Sequence, residues 1–285
     1  MGRGRFMTTR IAAFVLAGWL GFFLCASFVQ ASRIDPIPLD VQKEMKRLCD
    51  KSPKSKVKAL RRLAAMGERA APAAPLIVEL LDSNQTYETL GDKILNTAMI
   101  LGTSGSHVMY EARCALVKIG RPSVNPLIIA LKHPRPKLRS YAALTLGDIH
   151  DLQAVEPLVE ALTIDSNHEV RMCAAQALGA MADYWSGAAL EKAVPALITA
   201  LGDDSIDVCQ KASYTLGKMK NETSVPDLIR ALRLRGNNSD AGLALFMITG
   251  QRLGNDPEKW QQWWDIQQSK VKNRNQQYMD KKGRM

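Results

Sequence analysis

Aromatic residues are scarce, at 6% of 285 residues. No stretch alternates apolar and polar residues between turn formers, so a sheet protein is not expected. Glycine and proline, 19 and 13 residues, are too few for a collagen-like or low-complexity chain. Five cysteines occur without any C-x-x-C spacing, which leaves metal or redox chemistry unsupported. Cys49, Cys114, Cys173 and Cys209 stand far apart and read as small buried apolar positions rather than a disulfide framework. The sequence has no H-E-x-x-H, no G-x-S-x-G and no lysine-bearing phosphate loop; Gly102-Thr103-Ser104-Gly105 lacks the lysine. Acidic residues are scattered, so no carboxylate pair suggests acid–base work. No catalytic residue, metal ligand or cofactor is therefore assigned.

What remains is a folding composition, 46% apolar and 23% charged, with a net charge of +10. Arg3, Arg5 and Arg10 precede an apolar run from Ile11 to Val29, which closes on Val29-Gln30-Ala31 before Ser32. That order reads as a secretory signal over residues 1–31, cleaved between Ala31 and Ser32. The run is also long enough to span a bilayer, so a retained inner-membrane anchor fits the same residues. Both readings place the protein outside the cytoplasm, in the periplasm or cell envelope. Lys51, Lys54, Lys56, Lys58, Arg61, Arg62 and Arg69 face only Glu68 within 51–69, and residues 267–285 are similarly basic. Such ends suit an anionic membrane or envelope surface. Nucleic acid is disfavoured, because export contradicts it and no aromatic residues interleave the basic runs.

The chain repeats itself. Leu-(Ile/Val)-x-x-Leu recurs with its first leucine at Leu76, Leu127, Leu158, Leu197 and Leu228. The underlying period is 31 residues, lengthened by insertions after the first and third copies. A proline lies one or two residues before each anchor, where a first helical turn tolerates its missing N–H. Leu138 to Gly147, Val170 to Gly179 and Val208 to Gly217 supply a preceding helix rich in small residues. The spacing thus predicts helix pairs, each burying one apolar stripe. An extra helix is expected near 87–101, and a lengthened loop around Tyr184 and Trp185.

Val170-Arg171-x-x-Ala174-Ala175-x-Ala177-Leu178-Gly179 and Val194-Pro195-x-Leu197-Ile198-x-Ala200-Leu201 resemble the HEAT-like repeats named after phycobilisome lyase subunits. The resemblance covers about residues 53–235. It implies an all-α fold, a right-handed α-solenoid of about five helix pairs with capping helices, second helices lining the concave side. The segment from Thr249 to Trp264 resembles the closing segment of exported bacterial HEAT-like proteins of planctomycete type. The expected organisation is a capping helix within 32–52, the solenoid over 53–240, a C-terminal cap over 241–266 and a basic tail over 267–285. His168-Glu169 resembles one His-Glu pair of deoxyhypusine hydroxylase. His107, His133 and His150 form no second pair, so iron chemistry is not expected, and the pair reads as a polar helix start.

The function expected is a non-enzymatic, exported adaptor that binds protein through the solenoid surface. The candidate positions are the third residues of the motif, Val78, Ile129, Glu160, Thr199 and Arg230, which should point from the second helices towards the concave side, from apolar at one end to charged at the other. Tyr184 and Trp185 are further candidates, with packing over their own repeat as the alternative. The lyase resemblance also implies a lyase-type accessory or catalytic subunit, and the apolar run a membrane-anchored scaffold.

Overall fold

The computed structural model describes residues 36–83, 107–185, 187–234 and 239–282. The signal segment, its cleavage point at Ala31 and Ser32, and the helix expected near 87–101 lie outside these residues. Every regular element among the described residues is helical. The helices belong to one compact unit, Leu39–Met285, with Met1–Pro38 forming another.

α1, Leu39–Leu48, precedes five helix pairs. The first helices of the pairs are α2 (Pro53–Met66), α4 (His107–Ile119), α6 (Pro136–Ile149), α8 (His168–Tyr184) and α10 (Ile206–Lys218). Their partners are α3 (Ala74–Val78), α5 (Val124–Ala130), α7 (Val155–Ile164), α9 (Val194–Ala200) and α11 (Val225–Leu234). A 3-10 turn leads into each partner helix. The C-terminal cap is α12 (Ser239–Thr249) and α13 (Pro257–Lys282).

The helices start where local chemistry satisfies their free N–H groups. Pro53, Pro136 and Pro257 occupy first turns. The Asn167 side chain accepts from the Glu169 and Val170 N–H groups at 2.9 and 3.3 Å. That cap makes His168-Glu169 a polar helix start, with Glu169 beside the positive end of the helix dipole. Asp256 accepts from Glu258 and Lys259 N–H at 3.0 and 3.2 Å and starts α13 in the same way.

First helices stack on first helices: α2 on α4, α6 on α8, α8 on α10 and α10 on α12. Their small residues allow close approach. A Cβ added to Gly147 would lie 2.7 Å from the Ala177 Cα, and one on Gly217 2.8 Å from the Ala244 Cα. Between them, Gly179 leaves room for Thr215, whose hydroxyl donates to the Ala175 carbonyl at 2.9 Å. The stacked faces bury Leu146, Leu178, Leu216 and Leu245 completely. One pair could not shield such a stripe alone, so the neighbours stabilise each other.

The second helices bury the expected leucines in four copies: Leu127 and Leu131, Leu158 and Leu162, Leu197 and Leu201, Leu228 and Leu232. The first copy differs by one residue. There Ile77, Val78 and Leu81 are buried, whereas Leu76 is exposed. The seven-residue 3-10 turn Gly67–Ala73 delivers Ala74 rather than Ala73 to the first turn of α3. The structural anchor is therefore Ile77, and buried Val78 takes the second position, which Ile128 holds half-buried in the next copy.

The ends are closed as apolar patterning requires. α1 buries Val41 and Leu48. Trp260 is fully buried and its indole N–H donates to the Gly254 carbonyl at 2.8 Å, while Trp263 and Trp264 are half-buried beside it. Within the basic tail, α13 continues to Lys282. Glutamine and lysine favour helix and no proline or glycine interrupts 258–282, so nothing in that stretch stops the helix.

Candidate interaction surface

The outward row of the second helices is the surface the repeat builds most regularly. Ile129, Glu160, Thr199 and Arg230 each lie two residues after a buried anchor, and all four are exposed. Ile129 is 73% exposed, an unusual position for an isoleucine. Val78 does not join them, being 4% exposed, because of the one-residue shift in its copy. Its place in the row is taken by Glu79, which is exposed. The row therefore carries charge at both ends, where the sequence suggested an apolar end.

The row is not a file of free charges. Glu79 and Asp82 receive Arg135 at 3.0 and 2.7 Å. Lys132 reaches Glu160 at 3.2 Å, joining the turn after α5 to α7. Arg230 pairs with Asp227 within α11. These exposed pairs are each worth under about 1 kcal/mol. Their value is geometric, since they hold long side chains along the face and leave Ile129 and Thr199 between them.

Depressions separate successive second helices. One of about 400 Å³ lies between α5 and α7, lined by Ile128, Lys132, His133, Glu160, Ile164 and Asp165. A second, of about 340 Å³, lies between α7 and α9 and shares Ile164 and Asp165 with the first. Ile164 is itself 70% exposed. The two form a stepped, partly apolar track rather than an enclosed cavity.

Buried charge clamps set the walls of this track. Arg139 on α6 donates to both oxygens of Asp165 at 2.7 Å, and its third nitrogen donates to the His133 carbonyl at 2.8 Å. Arg171 on α8 repeats the arrangement, with Asp203 at 2.7 and 2.8 Å and the Asp165 carbonyl at 2.9 Å. The carboxylate bonds raise both guanidinium pKa values above their ordinary level despite partial burial. Each arginine thus ties the loop before its helix to the loop after the following one. The third copy of the pattern is broken: Cys209 occupies the arginine position on α10, and its thiol donates to the Asp203 carbonyl at 3.2 Å.

Tyr184 and Trp185 lie elsewhere, at the opposite end of the helices from the clamps. The Trp185 indole donates to the His150 carbonyl at 2.7 Å. The Tyr184 ring stacks on the His150 ring with centroids 5.0 Å apart. Both aromatics therefore pack over the preceding repeat, although Tyr184 keeps 69% of its surface.

Titratable and nucleophilic groups do not converge. Among the described residues, no three His, Cys, Asp or Glu side chains are placed to hold a metal ion. His107, His133, His150 and His168 sit on different elements. Cys173 and Cys209 are buried and Cys49 is exposed, and none of the three is in a disulfide. Burial pushes the Cys173 thiol up to about 11, against a weaker opposing effect of the Ser140 hydrogen bond. No described helix is long and apolar enough to cross a membrane.

Comparison with known proteins agrees with this geometry. The HEAT repeats family model matches residues 124–191. No curated protein matches the chain. Among solved structures, the complex of CpcE and CpcF of phycocyanin lyase from Nostoc sp. is similar at 21% identity over 61% of this chain and 98% of that chain, with a TM-score of 0.47. A designed armadillo repeat protein is 18% identical over 73% of this chain and all (100%) of its own, with a TM-score of 0.42. Kap121p bound to Ste12p is 14% identical over 73% of this chain and 29% of that chain, also at 0.42. The class is an all-α solenoid. Residues 124–191 match HEAT repeats, and helix pairs of the same kind recur on both sides of them.

Proposed function

We propose that this protein is an exported, non-enzymatic scaffold that binds a protein partner along the outward row of its second helices. The observation that carries this reading is the row itself. Ile129, Glu160, Thr199 and Arg230 recur at one structural position, stand in solvent and flank a stepped track containing exposed Ile164. Exposed Ile129 and Ile164 beside polar neighbours are the surface chemistry of a partner site. An extended polypeptide fits such a track better than a small molecule, which needs an enclosed pocket. The segment 1–31 supports export by its basic start, apolar middle and small-residue exit.

The test is capture from the protein's own host after mild crosslinking, using the parent and an Ile129→Arg/Thr199→Arg variant. The expected result is one envelope protein in near-equal amount with the parent, lost with the variant, and a captured chain that begins at Ser32 or retains residues 1–31 in the membrane fraction. Equal capture by both forms would refute the surface. Cytoplasmic partners with a soluble, intact N-terminus would refute the compartment.

A further inference from the structure

α1 and α2 carry a second surface of different chemistry. On α1, Leu39, Lys43 and Lys46 follow helical spacing and share the face opposite buried Val41 and Leu48. On α2, Lys54 and Lys58 form the same kind of strip, opposite Leu60 and Leu63, with Lys51 just before the helix and Arg61 beside them paired with Glu111 at 2.6 Å. Between the strips lies Glu44, 4% exposed, which receives Arg47 at 2.6 Å and Arg62 at 2.9 Å. The seam therefore buries its acid beneath two arginines that keep part of their surface in solvent. Leu39 is 83% exposed at one margin of this surface.

Many exposed cations of the stack meet acids of neighbouring helices: Lys132 with Glu160, Lys192 with Glu156, Arg233 with Glu258, and at this end Arg61 with Glu111 and Arg69 with Asp40. Lys43, Lys46, Lys51 and Lys58 make no ion pair among the described residues. The other basic stretch, on α13, sets Lys270 and Arg274 one turn apart, with Lys272 on the opposite side of the helix.

We infer that the α1–α2 face docks on the headgroups of an anionic bilayer, with Leu39 entering the interface and the lysines above phosphate. Unpaired cations on one face are drawn to a negative surface, and an exposed leucine at the margin gains from the acyl boundary, which an acidic polymer does not offer. In the sequence, the charge-free run Ile11–Val29 ends ten residues before Leu39. At no more than about 3.6 Å per residue, a bilayer holding that run lies within reach of this face. The inference deepens the export reading by naming which end meets lipid; the vesicle test below does not require export, which the N-terminal mass reports separately.

The test is lysine footprinting with an amine-reactive reagent, read by mass spectrometry, on the full chain with phosphatidylcholine vesicles and with vesicles also containing phosphatidylglycerol. Modification of Lys43, Lys46 and Lys58 should fall at least about fivefold on the anionic vesicles. It should recover at roughly 0.5 M salt, while Lys132, Lys192 and Lys270 stay unchanged. Lys54→Glu/Lys58→Glu, on exposed positions, should abolish shielding of Lys43 and Lys46 with helical content intact. Leu39→Asp should weaken shielding on vesicles as well, and serves should the charge variant misfold. Equal footprints on the two vesicle types, or shielding by polyglutamate as strong as by vesicles, would overturn the proposal, the latter in favour of an acidic protein.

Discussion

Arg139→Met leaves Asp165 without the guanidinium that holds both of its oxygens at 2.7 Å. The side chains are 12% and 8% exposed, so water can replace little of what is lost. Unpairing one member of such a buried pair costs about 3 kcal/mol or more. For a chain of this size each kcal/mol moves the melting temperature by roughly 2–4 °C, so a fall of about 6–12 °C is expected. Removing the second charge should recover much of it. Arg139→Met/Asp165→Asn keeps the Oδ1 acceptor for the Asn167 N–H, 2.9 Å away, and no longer buries an unpaired carboxylate. The double variant still lacks the donor to the His133 carbonyl, worth about 1 kcal/mol. It should therefore melt above the single variant and below the parent. Thermal denaturation followed by circular dichroism reads all three. A single variant within about 2 °C of the parent, or a double variant melting below the single, would refute the clamp as a buried, mutually dependent pair.

Leu162→Asp puts a carboxylate at a position 2% exposed between neighbouring repeats and should collapse the array cooperatively; a melting temperature within about a degree of the parent would refute the register of the second helices. Burial alone would raise the Glu44 pKa, but the Arg47 and Arg62 hydrogen bonds outweigh it and hold the carboxyl below its ordinary 4.5. A lowered folded-state value stabilises above the unfolded pKa and is lost as pH falls through the folded one, so Glu44→Gln should narrow the stability gap between pH 7 and acid, as urea titrations at several pH values would show. At about pH 8 a thiol with a pKa near 11 is only about 0.1% thiolate, so a maleimide should label exposed Cys49 long before Cys173; equal rates in the folded protein would contradict the buried placement.

The repeat was legible because its buried positions are spelled in leucine. Leu158 and Leu162 needed only their spacing and a nearby proline to be placed, and Gly147 and Gly179 announced close helix contact. The first copy was misread by one residue because Leu76-Ile77 and Ile77-Val78 satisfy the same aliphatic pattern. Only the length of the 3-10 turn before α3 decides between them, and turn length has no strong sequence signal. The row of outward residues was found by counting, so the same shift replaced Val78 with Glu79. The clamps were not found at all. Arg171 was visible as part of a motif, but its partner Asp203 lies 32 residues on, in a loop whose position depends on the whole intervening repeat. The α1–α2 charge was evident as composition, whereas its arrangement on one face, with Glu44 turned inward, required the packing of both helices.

The outward row is tested most directly in the living host. A photo-crosslinking residue is placed at 129, 160 or 199 on the second helices, or at Tyr214 on the first-helix face, which is also exposed. The scaffold reading predicts that the three second-helix positions crosslink to one and the same envelope protein and that position 214 does not. Crosslinks from position 214 alone, or unrelated products from 129, 160 and 199, would contradict it.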